Sequence, residues 1–506
     1  MPKIETSCEP IALNVSSTRF RLSVFFALVT LKIILLFYIG PLSAADTDDY
    51  YRFAHSIITE NSWRLDARLE DGEILVDRWR IIGYPALIAG ALFFFGADWI
   101  WALALFQVIA SAAAITYFSD FLRVASRSII VTMFGTFSVT TSVSFIWDNF
   151  LITDSLHASL LIGLFTALAA SRLQSKHPPS IKQAIIFGLF LALAFLLRDM
   201  TVYLAAFTLP IVLLWSWPTS GNAVRSFCVV IAFYLPLASV VAIYFSWNNE
   251  RSGQTFLTTS MRTAGLVPLF RMAAHGEHVF DRNTSLDKAA RLALEEVGSE
   301  KVLATTYGVM QHVYVANRIL TEEFEMDAVA ISQSVSKRFI NVIFTKPMVV
   351  LRYLKSQLRP GALLRLFFQP VYSMTAIHEI KAKRSDVGAL TRFAPLLNAI
   401  ASGKHIVTHS ALLVAEGFSR IIAITLGIGY LVVFPASYFL GFARGHQTEK
   451  LVWLALWFIP FATSLLYGIV HFEPRYLMST IPFAVLVATI AIRDVWTRYL
   501  RQGALL

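Results

Sequence analysis

Ten stretches of this chain are apolar for long enough to cross a lipid bilayer, and that constrains the backbone more than any other feature. In hydrocarbon every amide and carbonyl must find its partner inside the protein, so a spanning segment is a helix or part of a closed barrel. The runs lie at about 22–40, 99–119, 129–147, 154–171, 183–198, 201–217, 225–246, 420–442, 451–469 and 476–492, of helical rather than strand length. Composition agrees: 56% of residues are hydrophobic and 15% charged, against roughly 25% charged in a soluble domain. The expected fold class is an all-α polytopic membrane protein of about ten transmembrane helices.

Charge decides which way the spans run. Arg19 and Arg21 precede the first run; Arg123, Arg127, Arg172, Lys176 and Arg225 fall in short connections on one side. The positive-inside rule makes that side cytoplasmic. Both termini are then inside, and the other connections face the periplasm or exterior. Ser43-Ala44-Ala45 resembles a signal-peptidase site, but the preceding run is longer than a typical signal core, which favours an uncleaved anchor. Lys32 is expensive in mid-span and is expected to face another helix. The chain divides into an N-terminal transmembrane core (1–247) with a first external loop (46–98), an external or interfacial helical region (248–418) and C-terminal transmembrane helices (419–506). Residues 81–96 read as an interfacial helix, and Phe339–Phe368, whose apolar clusters are broken by cations, as a segment lying on the membrane.

The formal charge of +10 suits anionic lipid and topology control; no nucleic-acid module is present. Cys8 and Cys228 are the only cysteines, which leaves neither a disulfide framework nor a zinc cluster. His275 and His278 lack a third ligand nearby and read as loop residues.

The segment Ala45–Ala54 carries three carboxylates and two tyrosines where the chain leaves the first span. On a helix Asp46, Asp49 and Phe53 share a face, with Asp46 or Thr47 as candidate N-caps. Sorting by side brings Asp46, Asp48, Asp49, Arg78, Arg80, Asp148, Asp154, Arg198, Asp199, Glu473 and Arg475 to one membrane interface. Carboxylates and arginines at one depth suit a substrate with a membrane-embedded tail and a phosphate head. Guanidinium holds phosphate bidentately, and a carboxylate deprotonates a hydroxyl or holds a metal. Pro474 suits a helix first turn, so the last span is expected to open there with its amides beside Arg475 as an anion site.

In order, Asp46…Tyr50…Ala54, Arg80-Ile-Ile-Gly-Tyr-Pro85, Phe95-Gly96, Thr153-Asp154 and Glu473-Pro-Arg475-Tyr476 resemble the membrane glycosyltransferases of the C-type fold. The likeness is to bacterial relatives of protein mannosyltransferases and of the lipid A aminoarabinose transferase. The resemblance implies a polyprenyl-phosphate-linked sugar as donor and a glycan, lipid or protein acceptor outside the membrane. Lipopolysaccharide core and lipid A are among the acceptors it allows. It makes Asp46 the catalytic carboxylate, with Asp49 beside it. Arg475, Arg80 and Arg198 become donor-phosphate ligands, and Tyr50, Tyr84, Asp154, Glu473 and Tyr476 further site candidates. Many relatives have Asp-Glu where this chain has Asp46-Thr47, which leaves metal use open. No nucleotide fingerprint is present.

Two other readings compete. A transporter or lipid flippase would show internal repeats and midplane polar groups, whereas these polar groups concentrate on one face. An O-antigen ligase or polymerase would place its key arginines and a histidine in one large external loop, without the first-loop aspartate. Reporter fusions after Asp71, Arg127, His278 and the C-terminus test the topology; a cytoplasmic signal at His278 would separate the polar groups onto different sides.

Overall fold

The computed structural model describes residues 15–61, 63–64, 66–68, 74–76, 80–142, 147–174, 179–216, 223–304, 306–357, 421–439, 447–470 and 474–503. Each predicted span corresponds to a helix, but the helices differ in reach. Among the described residues, six are long and apolar enough to cross a membrane: Thr18–Ile39, Gly83–Ser126, Asp154–Leu173, Ala223–Ser252, Ile421–Phe439 and Lys450–Tyr467. Ile129–Thr140, Ile181–Leu197 and Thr201–Ser216 are apolar but shorter. The first of these was expected to continue to 147. It ends at Thr140, and its 12 residues extend about 18 Å, short of a hydrocarbon core of about 30 Å.

The first elements run α1 (Val15–Ile39), α2 (Ala45–Thr59), α3 (Gly83–Phe95), α4 (Trp99–Ser126) and α5 (Ile129–Thr140). A 3₁₀ turn at Gly96–Asp98 joins α3 to α4, so the expected interfacial helix belongs to one apolar unit with the following span. The main core gathers α4, the helices Asp154–Gln174 and Ile181–Leu197, and Ile481–Gly503. Phe483 sits edge-on to both Phe118 and Phe165, at 6.1 and 5.6 Å between ring centres. The outer surface is apolar in turn: Phe26, Ile130, Met133, Phe227 and Ile243 are exposed, as suits side chains that face lipid tails.

The all-α expectation needs one amendment. Asp66–Arg68 and Ile74–Val76 pair as an antiparallel ribbon, β1 and β2, with Ala67 opposite Leu75. The signal was in the sequence, since Asp71-Gly72 lies between the two strands and Asp-Gly favours a hairpin turn.

Met261 to Gln357 forms a separate cluster of helices around Leu266, Phe270, Val313, Val335 and Phe339, amphipathic as expected. In the segment expected to lie on the membrane, Ala328–Thr345 and Pro347–Gln357 are two helices broken at Lys346. The remainder of that segment, and of the external region to 418, lies outside the described residues. Glu277, between the two histidines, pairs with Arg352 at 2.6 Å, consistent with a structural loop. Asp199 ties this cluster to the transmembrane part by accepting from Thr258 and Ser260 at 2.7 and 2.8 Å.

Gly83 permits the close approach on which the site depends. A Cβ there would lie 2.2 Å from the Leu196 carbonyl oxygen, so α3 and the helix Ile181–Leu197 meet backbone to backbone. The next residue after that helix is Arg198. Gly83→Ala is therefore expected to destabilise the protein by about 1–3 kcal/mol through overpacking. Gly90→Ala, where a Cβ would meet nothing within 4 Å, serves as the neutral control. Thermal unfolding in detergent compares the two, and equal melting temperatures would refute the close approach.

Candidate functional site

Helix α2 is built to present carboxylates along the edge of a buried face. Tyr50, Phe53, Ala54 and Ile57 are buried at helical spacing, while Asp48, Tyr51, Arg52 and His55 point outward. The helix starts earlier than expected, with Ala44 as N-cap in place of Asp46 or Thr47. Thr47 takes the third position instead. Its hydroxyl accepts from the Ala44 amide at 2.9 Å and donates to the Leu151 carbonyl at 2.9 Å. Asp46 and Asp48 in the first turn complement the positive end of the helix dipole.

Asp46 and Asp49, one turn apart, share a single partner. Arg80 Nη2 donates to Asp46 Oδ1 at 2.8 Å and to Asp49 Oδ2 at 3.0 Å. Arg80 is 12% exposed at its side chain, Asp46 35% and Asp49 46%. The cation is thus withdrawn, and the acids stand nearer solvent. Its guanidinium also lies 5.1 Å from the centre of the Tyr50 ring, and Tyr244 donates to its backbone carbonyl at 3.1 Å. Two carboxylates on one guanidinium leave a net negative charge. Among the described residues no third His, Cys, Asp or Glu completes a group able to hold a metal with them.

A second pair lies across Tyr50. Arg198, just past the helix Ile181–Leu197, pairs with Asp154, which opens the helix Asp154–Gln174. Both are largely buried, at 16% and 5% exposure. The Arg198 guanidinium rests 4.2 Å from the centre of the Tyr476 ring, which in turn sits 4.8 Å from Tyr467. Tyr50 feels both pairs: Arg80, Asp46, Arg198 and Asp154 all act on its hydroxyl. Burial pushes that phenol up to about 12, and Arg80 offsets part of the rise.

Tyr84 packs edge-on against Tyr50 at 5.1 Å and donates to Gln107 Oε1 at 2.6 Å. Gln107 Nε2 then donates to the carbonyls of Asp148 and Phe150, at 3.1 and 2.8 Å. Residues 149–151 also bridge the connection between α1 and α2: Leu42 donates to the Asn149 carbonyl and Leu151 to the Leu42 carbonyl, each at 2.8 Å. The sequence alone assigned no part to Gln107 and offered Thr47 only as an N-cap. A lone glutamine inside an apolar run was the signal that could have found the first.

Of the residues expected at the site, Asp46, Asp49, Tyr50, Arg80, Tyr84, Asp154, Arg198 and Tyr476 come together in this way. Arg80 and Arg198 are each engaged by carboxylates. Glu473 and the side chain of Arg475 lie outside the described residues. The expected helix N-terminus at Pro474 is corrected: Pro474–Leu477 is a 3₁₀ turn and the long helix opens at Ile481. The first-turn proline of that helix is Pro482, so its dipole end lies several residues beyond Arg475.

Fold and site together define a helical, multi-pass membrane protein with a cluster of paired acids and arginines lodged between its helices. No protein-family model and no curated protein matches the chain. Among solved structures it is similar to ArnT from Cupriavidus metallidurans bound to undecaprenyl phosphate. That alignment covers 93% of this chain and 77% of the other, at 12% identity and a TM-score of 0.34. It is similar to apo ArnT from the same organism over 94% and 78%, at 13% identity and the same score of 0.34.

Burial separates the two pairs energetically. Asp154→Ala strands a buried guanidinium and is expected to destabilise the protein by about 3–5 kcal/mol. Asp49→Ala removes a half-exposed acid and should cost under about 1 kcal/mol. Chemical unfolding of both variants checks the ranking, and equal losses would contradict it.

Proposed function

We propose that this chain is an integral-membrane glycosyltransferase that moves a sugar from a polyprenyl-phosphate donor to a hydroxyl of an envelope glycan, lipid or protein. The reaction is placed at the outer face of the plasma membrane. One observation carries the reading: Asp46 and Asp49 share one withdrawn guanidinium, so the two acids outnumber their cation and stand partly exposed, with a second acid–arginine pair close by. A general base and a set of phosphate ligands are what glycosyl transfer from a lipid phosphate requires.

In this reading the acceptor oxygen attacks the anomeric carbon of the sugar. The bond from that carbon to the phosphate oxygen breaks, and its electron pair stays on the lipid phosphate. Asp46 takes the proton of the acceptor hydroxyl. Asp49, one turn along, holds Arg80 jointly and keeps it against the Tyr50 face. The departing phosphate gathers charge and needs cations at fixed geometry. Arg475 is assigned that role, with Arg80 and Arg198 sharing the charge from their positions on either side of Tyr50. The donor arrives already activated, so the chemistry requires no nucleotide.

Transfer from a polyprenyl-phosphate sugar by the purified protein, with mass spectrometry of envelope glycolipids from a strain lacking it, tests the assignment. Asp46→Asn keeps the side-chain shape but cannot accept a proton, and is expected to lower turnover by about 100- to 10,000-fold. Arg475→Ala should impair use of the donor, and Arg475→Lys should restore only part of it, because lysine lacks the bidentate fork. A folded Asp46→Asn protein with wild-type turnover would refute the base, and unchanged turnover in Arg475→Ala would remove Arg475 from the donor site.

A further inference from the structure

Lys32 lies within the first apolar span, its side chain is 1% exposed, and the chemistry above makes no use of it. An ammonium in that position is expensive unless paired. Its partner is Asp148, 2% exposed at its side chain, whose second oxygen accepts from Ser155 at 2.7 Å. As a source of stability alone this is a poor arrangement, since buried ion pairs are commonly no better than apolar packing. What distinguishes Asp148 is its place in the chain. It stands in the largely non-helical stretch from Trp147 to Thr153, just ahead of the helix Asp154–Gln174, and several parts of the site hang on that stretch. The Leu151 carbonyl receives Thr47 of the carboxylate helix, and Asn149 and Leu151 bridge to Leu42 just before that helix. The carbonyls of Asp148 and Phe150 receive Gln107, which holds Tyr84 against Tyr50. Asp154, the partner of Arg198, follows directly.

We propose that Lys32 and Asp148 are positioning residues: their buried ion pair pins the 147–153 stretch to α1 and so sets the Asp46 carboxylate relative to the Asp154–Arg198 pair. The catalytic part of this inference rests on the transferase reading; the positional part does not. Neither side chain touches the reacting groups. A shift of the pinned stretch would carry Thr47 with it and displace the base, and a displacement of about 1 Å can lower turnover by about 100-fold.

The test uses double variants, because Lys32→Met alone would strand a buried carboxylate and fail to fold for that reason. Lys32→Met with Asp148→Leu replaces the pair by apolar groups, and Lys32→Gln with Asp148→Asn keeps hydrogen bonding without charge. In whichever accumulates as folded protein, hydrogen exchange of the full-length chain in detergent is expected to quicken by about tenfold at residues 42–50 and 149–153, with the interior of Asp154–Gln174 unchanged. Turnover is expected to fall by at least about tenfold while KM for the lipid-linked donor stays within about threefold. Unaltered exchange at 42–50 in a folded double variant would overturn the proposal even if the protein proved to transfer no sugar. Quickened exchange with wild-type turnover, in an active enzyme, would overturn the catalytic part. Failure of both double variants to fold would overturn it too, by making the pair a requirement of folding.

Discussion

Backbone that leaves the helix inside an apolar protein exposes carbonyls that water cannot reach, and satisfying them organises this molecule. From Asp148 to Thr153, just ahead of the helix Asp154–Gln174, the backbone is non-helical. Its carbonyls are met one by one, by the Gln107 amide, the Thr47 hydroxyl and the Leu42 amide. Each donor belongs to a different element. Meeting the hydrogen-bond demand of one short stretch therefore links α2, α4 and the connection that leads from α1 into α2. A polar network of this kind is rigid where it is fully satisfied, and the site is assembled along its edge.

The charges follow a gradient of burial that separates their tasks. Lys32 with Asp148 is sealed, Arg198 with Asp154 is nearly so, and Asp46 and Asp49 are open while their arginine is withdrawn. Buried pairs hold geometry, because neither partner can be hydrated elsewhere without moving a helix. The open acids retain lone pairs available to a substrate. Tyr50 packs edge-on against the buried Tyr84 and lies beside the Arg80 guanidinium, so the aromatic pair joins the open acids to the buried polar network.

Close backbone approach completes the frame. Gly83 against Leu196 and Gly188 against Phe233 let the helix Ile181–Leu197 sit tightly between α3 and the helix Ala223–Ser252. Arg198 is delivered from the end of that wedged helix, and Asp199 next to it anchors the external helices through Thr258 and Ser260. The external cluster is thus tied to the site by adjacent residues, although it has its own core.

Much was legible in the residues alone. Apolar run length reveals helices because hydrocarbon tolerates little else, and the spacing of Asp46 and Asp49 put both on one helix face whatever surrounds them. The short reach of Ile129–Thr140, the ribbon either side of Asp71-Gly72 and the helix start at Ile481 were misread, because apolar content says little about where a helix stops. Pro474 and Pro482 both suit a first turn, and only the surrounding contacts choose between them. Partnership was beyond the sequence altogether. Lys32 lies 116 positions from Asp148, Asp154 lies 44 from Arg198, and Arg80 lies 34 and 31 from its two acids. A local pattern constrains a residue's direction within its own helix. Which opposite charge waits there is decided only when the helices pack, since burial makes each charge take the partner within reach.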